Sequence, residues 1–297
     1  MKKSSLGFIL MAIAGVGLAV ATILMKQIPI QTGLTPGQVA IWRFAIAAPL
    51  MWVIALARSR QTAVVPKRPW SLLGLGVIYS VASLLALLSL GRLSSSLYVI
   101  IVFVYPSFVV LYSLVSGAPV PRRWWLGLPL ALIGLALTLF DFRQSITADV
   151  IGVILSLLNG LAIAVYNILS AKVFKQVEDR QVGTTWVNTG ALAASLFLIP
   201  IMGVAAPQTV QGWISLISLG IFGTLIPILS LNAGLQLVGA ARGSLIMILQ
   251  PVVAILLSTT LLAETLSLQQ WLGGVLVIIA IVLLQKSPDH YPKQSSG

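Results

Sequence analysis

Long apolar runs separated by short polar joints organise this chain. Runs with the length and apolarity of membrane helices fall near residues 5–25, 36–57, 70–91, 95–116, 124–140, 150–171, 183–204, 211–235, 242–263 and 267–285. The ninth is bounded by Arg242 and Glu264, with 21 uncharged residues between them and Pro251 near the middle. At about 1.5 Å of rise per residue, such a run matches a hydrocarbon core about 30 Å thick. The pattern predicts an all-α integral membrane protein of ten transmembrane helices. The weakest division is between the seventh and eighth runs, where only APQTVQG (206–212) intervenes. Lys2 and Lys3 precede the first run and nothing after it resembles a cleavage site, so it reads as a retained span.

The joints carry the charge, and they do so unevenly. With the N-terminus inside and ten crossings, fourteen of the eighteen cations fall in inner segments. Only Lys26, Arg92 and Arg143 fall in outer loops, and Arg43 lies within the second span. Under the positive-inside rule this predicts cytoplasmic N- and C-termini, with residues 287–297 as a polar cytoplasmic tail. The net charge of +12 invites a nucleic-acid reading, but cations confined to joints fit topology better, and no nucleic-acid partner is expected.

The halves repeat. An offset of 145 brings Gly7 onto Gly152, Gly15 onto Gly160, Leu90 onto Leu235 and Pro106 onto Pro251. After a small insertion, Trp124-x-x-Gly127 meets Trp271-x-x-Gly274. Two copies, 1–144 and 145–286, with an odd number of spans each, must enter the membrane from opposite faces. Inverted repeats of this kind predict a transporter with a site at the repeat interface near mid-membrane.

Composition narrows the chemistry. The chain is 58% hydrophobic and 8% charged, against about 25% charged in soluble domains, which leaves too little polar surface for water. With no cysteine and one histidine, His290, disulfides, thiolate sites and histidine metal clusters are excluded, and no cofactor or metal is expected. None of the six acids lies within a predicted span. An antiporter of cationic drugs needs a membrane carboxylate to exchange proton for cation, so that class is disfavoured.

These residues together resemble the drug/metabolite transporter superfamily, in its EamA branch of ten-helix transporters. The second half carries the likeness in Pro251, Ala254, Leu257, Leu261, Gln270 and Gly274, with Ala263-Glu264 where the family usually has Gly-Glu. In the first half Pro106, Arg43 within WRF (42–44) and Gly127 fit, while the Gly-Glu position reads Gly117-Ala118-Pro119. The resemblance implies a bacterial-type metabolite exporter of the cytoplasmic membrane. It implies no particular substrate.

Polar residues inside spans are the candidates for a substrate site. Tyr105 and Gln250 occupy equivalent positions directly before Pro106 and Pro251, the pattern expected of a site on a two-fold axis beside two kinks. Each proline frees the carbonyl four residues earlier, Val102 and Ile246. Tyr98 and Tyr112 lie near span ends and read as an aromatic belt. Asn159 and Tyr166 share one helical face, with interhelical bonding and ligand contact equally open for Asn159. Tyr79 aligns with Thr224, Ser83 lies one turn beyond Tyr79, and Asn232 and Asn188 complete the set. Arg43 reads first as a snorkelling or carbonyl-bonded arginine, and as a functional residue it would attract a carboxylate. Arg242 and Glu264 read as interfacial anchors. This inventory suits small neutral, zwitterionic or weakly anionic metabolites such as amino acids, exported by alternating access. The expected partners are such a solute and membrane lipid, with a monomer or homodimer. A non-transporting scaffold or receptor is the alternative. An intramembrane enzyme lacks its constellation, since no nucleophile stands beside a base and no acid pair is present.

Overall fold

Every regular element among the described residues of this computed structural model (3–58, 66, 68–117, 124–139, 149–238 and 246–285) is a helix or helical turn. The first half forms α1 (Lys3–Thr32), α2 (Pro36–Arg58), α3 (Pro69–Leu90), α4 (Ser95–Val102), α5 (Tyr105–Val115) and α6 (Trp124–Leu139). The second forms α7 (Val150–Val173), α8 (Arg180–Leu196), the single turn α9 (Ile199–Met202), α10 (Val210–Gly220), α11 (Ile226–Val238), α12 (Leu249–Leu261) and α13 (Leu268–Gln285). A π-helical turn, Ile221–Leu225, joins α10 to α11.

Six stretches are long and apolar enough to cross a membrane: Ser5–Thr32, Pro36–Ala57, Pro69–Leu90, Val150–Gln176, Arg180–Met202 and Val210–Gly234. Ser95–Val109, Trp125–Thr138, Leu249–Leu261 and Leu268–Leu283 are apolar but shorter. Trp70, Val115 and Phe197 stand at least 80% exposed, and many more large apolar side chains share that outward surface. An apolar exterior on this scale is stable facing lipid tails, where exposure carries no hydrophobic cost. The chain is a multi-pass membrane protein.

The two halves pack reciprocally. Gly15 of α1 lies against the start of α12, where an added Cβ would come 3.5 Å from the Gln250 backbone nitrogen. Gly160 of α7, its equivalent, lies against the α4–α5 junction, where an added Cβ would come 3.3 Å from the Val102 oxygen. Each half therefore presents the small face of its first helix to the proline-bearing helix of the other. Gly134 and Gly273 bring α6 and α13 into similar backbone contact. Trp52 of α2 meets Trp186 of α8 edge-on at 5.6 Å and donates its Nε1–H to Thr189 Oγ1 at 2.8 Å. Gly17 and Gly76 are approached as closely as Gly134 and Gly273, whereas nothing lies within 4 Å of a Cβ built on Gly74.

Several boundaries differ from those read in the sequence. The first span runs on to Thr32, so Lys26 belongs to α1 and not to a loop. Its Nζ donates to the carbonyls of Leu90, the last residue of α3, and of Leu93 just beyond it, at 2.6 and 2.7 Å, where a cation complements the negative end of that helix. The fourth span is broken at Phe103–Val104, just before Tyr105-Pro106, and the ninth turns at Met247–Ile248, just before Leu249-Gln250-Pro251. Both breaks follow from proline's missing N–H and its clash with the preceding turn. Arg242 lies outside the described residues, as do Arg143 and the tail beyond 285.

Candidate functional site

Arg43 organises the interior. It sits on α2 and is 5% exposed, so it does not snorkel to an interface as the sequence alone suggested. Nε donates to Thr224 Oγ1 at 2.9 Å, Nη1 to Ser83 Oγ at 3.0 Å and Nη2 to Tyr79 OH at 3.0 Å. Nη1 also approaches Met25 Sδ at 3.4 Å. The guanidinium carbon lies 5.5 and 5.6 Å from the ring centres of Phe44 and Tyr79, within cation–π range. All of these partners are neutral. A buried guanidinium with hydroxyl and thioether acceptors is hydrogen-bonded but not charge-compensated.

Local structure delivers each partner. Tyr79 and Ser83 are one turn apart on α3 and face α2 together. Met25 comes from α1, in line with Ala21, which packs on Gly223 of the π turn. Thr224 lies inside that turn, where the extra residue per turn rotates its side chain inward, and it also donates to the Leu219 carbonyl at 3.1 Å. Isolated π turns frequently mark functional sites. Tyr79 and Thr224 are the equivalent positions of the two halves, so Arg43 is held by both members of one repeat pair.

A second polar chain adjoins the first along α3. Asn159 of α7, 1% exposed, donates from Nδ2 to the Ala82 carbonyl and accepts from Tyr98 OH at 3.0 Å. Interhelical bonding therefore occupies Asn159 on both its donor and acceptor sides. Tyr98 is buried, which removes it from the aromatic belt. Tyr112 does stand exposed, near Lys172, whose Nζ donates to its hydroxyl at 3.3 Å. The Tyr166 ring lies 5.8 Å from that of Tyr79. Four of the candidate residues, Arg43, Tyr79, Ser83 and Tyr166, thus meet around one point, with Asn159 one residue removed through Ala82.

The others lie elsewhere. Tyr105 is half-buried against α7 and edge-on to Phe103 at 6.0 Å. Gln250 is half-buried against α1. Each backs onto the first helix of the opposite half, and neither bonds to the Arg43 network. Asn232 donates to Thr184 Oγ1 at 2.6 Å, tying α11 to α8. Asn188 is 1% exposed, and its Oδ1 has no hydrogen-bond partner among the described residues. Among those residues no group of three or more His, Asp or Glu could hold a metal.

Glu264 does more than mark an interface. Oε1 accepts from Ser95 N at 2.7 Å, and Oε2 accepts from Ser96 N and Ser96 Oγ, both at 3.0 Å. Ser94 Oγ takes the next donor, Leu97 N, at 3.2 Å. The first three free N–H groups of α4 are therefore satisfied, two of them by a carboxylate from the other half. Ser96 Oγ and Ser258 Oγ add a hydroxyl pair across the same junction. Sequence reasoning missed Thr224 as a ligand of Arg43 and Glu264 as a cap. The polar match of Tyr79 with Thr224 was the one available signal for the former.

The fold is that of a multi-pass helical membrane protein with a buried polar interior. The sequence profile of the EamA-like transporter family matches residues 5–140 and again 150–285, and the chain belongs to that family, within the drug/metabolite transporter superfamily. It is 27% identical over 291 residues to the uncharacterized transporter YcbK of Bacillus subtilis, covering 94% of this chain and 93% of YcbK. It is also 27% identical over 215 residues to an uncharacterized transporter of Archaeoglobus fulgidus, covering 72% and 75% of the two chains. The uncharacterized inner membrane transporter YedA of Escherichia coli K12 is 23% identical over 253 residues, covering 84% of this chain and 81% of YedA. A protein of known crystal structure superposes with a TM-score of 0.64 over 95% of both chains at 18% identity, a likeness of fold alone. The chain is a membrane transporter.

Proposed function

We propose that this transporter sits in the cytoplasmic membrane, crosses it ten times as two inverted five-helix copies, and exports a small neutral, zwitterionic or weakly anionic metabolite by alternating access. The termini are cytoplasmic in this reading, with the site at the interface of the copies, centred on Arg43, Tyr79, Ser83 and Thr224. The observation that carries it is the convergence on Arg43 of Tyr79 from the first copy and Thr224 from the second. A ligand that replaces the Tyr79 hydroxyl while Thr224 keeps its hold on Nε is sensed by both halves at once, which is what alternating access requires. The broken helices at Phe103–Val104 and Met247–Ile248 supply the hinges, with Pro106 and Pro251 keeping them broken. Tyr105 and Gln250 flank those hinges, and in this reading they line the path and do not anchor the solute. YedA is described as an inner membrane transporter, which supports the cytoplasmic membrane as location.

The test is efflux from liposomes holding the purified protein, over a panel of amino acids, hydroxy and oxo acids, and neutral polyols. Ser83→Ala and Thr224→Val each remove one hydrogen bond to a charged group, about 1.5–3 kcal/mol, and should reduce transport by about 10-fold to 100-fold while leaving insertion intact. A protein that moves nothing in the panel, or variants that transport as well as the parent, would discard this site.

A further inference from the structure

Among the described residues the Arg43 charge has no counter-ion. Its four contacts are Thr224, Ser83, Tyr79 and Met25, and the six acids of the sequence, Asp141, Asp149, Glu178, Asp179, Glu264 and Asp289, all lie outside the spans. A lone charge held in a low-dielectric interior is costly unless something neutralises it during the working cycle. The four contacts are not equally firm. Nε is anchored, because Thr224 is itself fixed by the Leu219 carbonyl. The Nη1–Nη2 edge meets two rotatable hydroxyls and a thioether at 3.4 Å, a weak acceptor. A carboxylate accepts along such an edge with two parallel bonds and is a stronger acceptor than any of the three.

The same surroundings discriminate among anions and zwitterions. One cation balances one negative charge, so a dianion would leave the site with an excess. The ring faces of Phe44 and Tyr79 are already turned to the guanidinium, and a substrate ammonium beside them would meet a cation and no carboxylate. On this basis, and resting on the carrier reading above, we propose that the transported solute is an organic monoanion whose carboxylate pairs with Arg43, and that it leaves the cell as a net negative charge driven by the membrane potential. The loaded site is neutral and the empty site carries +1, so each cycle moves one negative charge outward. An inside-negative potential favours that movement by about 50-fold in the equilibrium concentration ratio per 100 mV, with no proton required.

The experiment uses the full chain in liposomes with the potential clamped by valinomycin and potassium gradients. Radiolabelled lactate, 2-oxobutanoate and N-acetylalanine are compared with alanine and glycerol, and protein-free liposomes give the background. The proposal expects at least one monocarboxylate to move, faster when the potential drives anions out of the loaded compartment, with no stimulation by a proton gradient. Arg43→Lys should retain part of the rate and Arg43→Gln should lose it by at least 100-fold. If Arg43→Gln fails to insert, the potential dependence of the parent still decides. Transport of alanine or glycerol without any monocarboxylate overturns this proposal and leaves the carrier reading standing. So does monocarboxylate flux indifferent to the clamp. Silence across the whole panel overturns both.

Discussion

Positions 43 and 188 are equivalent in the two copies, one on α2 and the other on α8, and each is almost fully buried. The first holds a guanidinium bonded to Tyr79, Ser83 and Thr224. The second holds an amide whose Nδ2 bonds within its own helix to the Thr184 carbonyl at 3.0 Å and whose Oδ1 has no partner among the described residues. Duplication explains why both positions are polar and inward-facing. It does not explain why one gained a charge and a full set of acceptors. The difference shows where symmetry ends: at this equivalent position the first copy places a buried cation and the second a neutral amide.

The strongest way to break that comparison is to make the copies alike. Arg43→Asn should abolish transport, by at least about 100-fold, since the proposed charge-assisted contact with the solute carboxylate is lost along with its geometry. Transport within threefold of the parent would show the charge to be incidental. Arg43→Lys sharpens the point, because it keeps the charge and discards the planar fork.

The copies also differ at the turn after the proline-bearing helix. Gly117 and Ala263 occupy the same place, both in the left-handed region, with φ of +71° and +50°. Only the second copy follows with an acid, Glu264, and only that acid reaches back to cap α4. Glu264→Gln keeps one carbonyl acceptor but loses the charge and one paired bond at a helix N-terminus. The expected cost is about 1–2 kcal/mol, or about 2–3 °C in the thermal midpoint in detergent. An unchanged midpoint would mean the inter-copy cap contributes nothing. Ala263→Gly tests the neighbouring residue with the opposite sign. A side chain in the left-handed region costs roughly 1–2 kcal/mol and glycine's chain entropy returns part of it, so the variant should be more stable by about 0.5–1 kcal/mol. Ala263 is exposed, so no packing is lost to confuse the result.

These contrasts also mark what the sequence could and could not convey. Apolar length placed six helices long enough to cross and four shorter apolar ones, because a hydrocarbon core leaves the backbone few alternatives to helix. Pro106 and Pro251 announced the broken helices. The π turn at Ile221–Leu225 left no trace, since its cause is tertiary: Gly223 closes on Ala21 of α1 and Thr224 bonds to Arg43. Arg43 was visible as a cation inside a span, yet its fate depended on partners 18, 36, 40 and 181 residues away. A helix considered alone offers such a cation only the interface, so snorkelling was the natural expectation and the wrong one. The cap made by Glu264 went unread for the same reason, with Ser95 lying 169 residues earlier in the chain. Tyr105 and Gln250 were legible as a symmetric pair, and the structure shows that symmetry in their packing on Gly160 and Gly15.

The smallest contrast concerns how the two copies begin. Asp149 caps α7, accepting from Gly152 N at 2.8 Å and pairing with Arg92 Nη1 at 3.1 Å, while the equivalent residue of the first copy is the uncharged Ser4. The Gly152 N–H, and after it Arg92, hold the Asp149 carboxyl below the usual carboxylate range. Because the folded value lies below the unfolded one of about 3.9, the group contributes stability above that pH and loses it as pH falls through the folded value. Both side chains are exposed, so water and salt screen the pair heavily. Asp149→Asn keeps a good cap for Gly152 and removes the ion pair. At pH 7 it should shift the thermal midpoint less than any change above. Below about pH 4 the parent should lose stability faster than the variant, narrowing the gap between them. A pH 7 difference as large as that of Glu264→Gln, or curves that stay parallel down to pH 3, would show that the second copy's start is held by something other than this carboxylate.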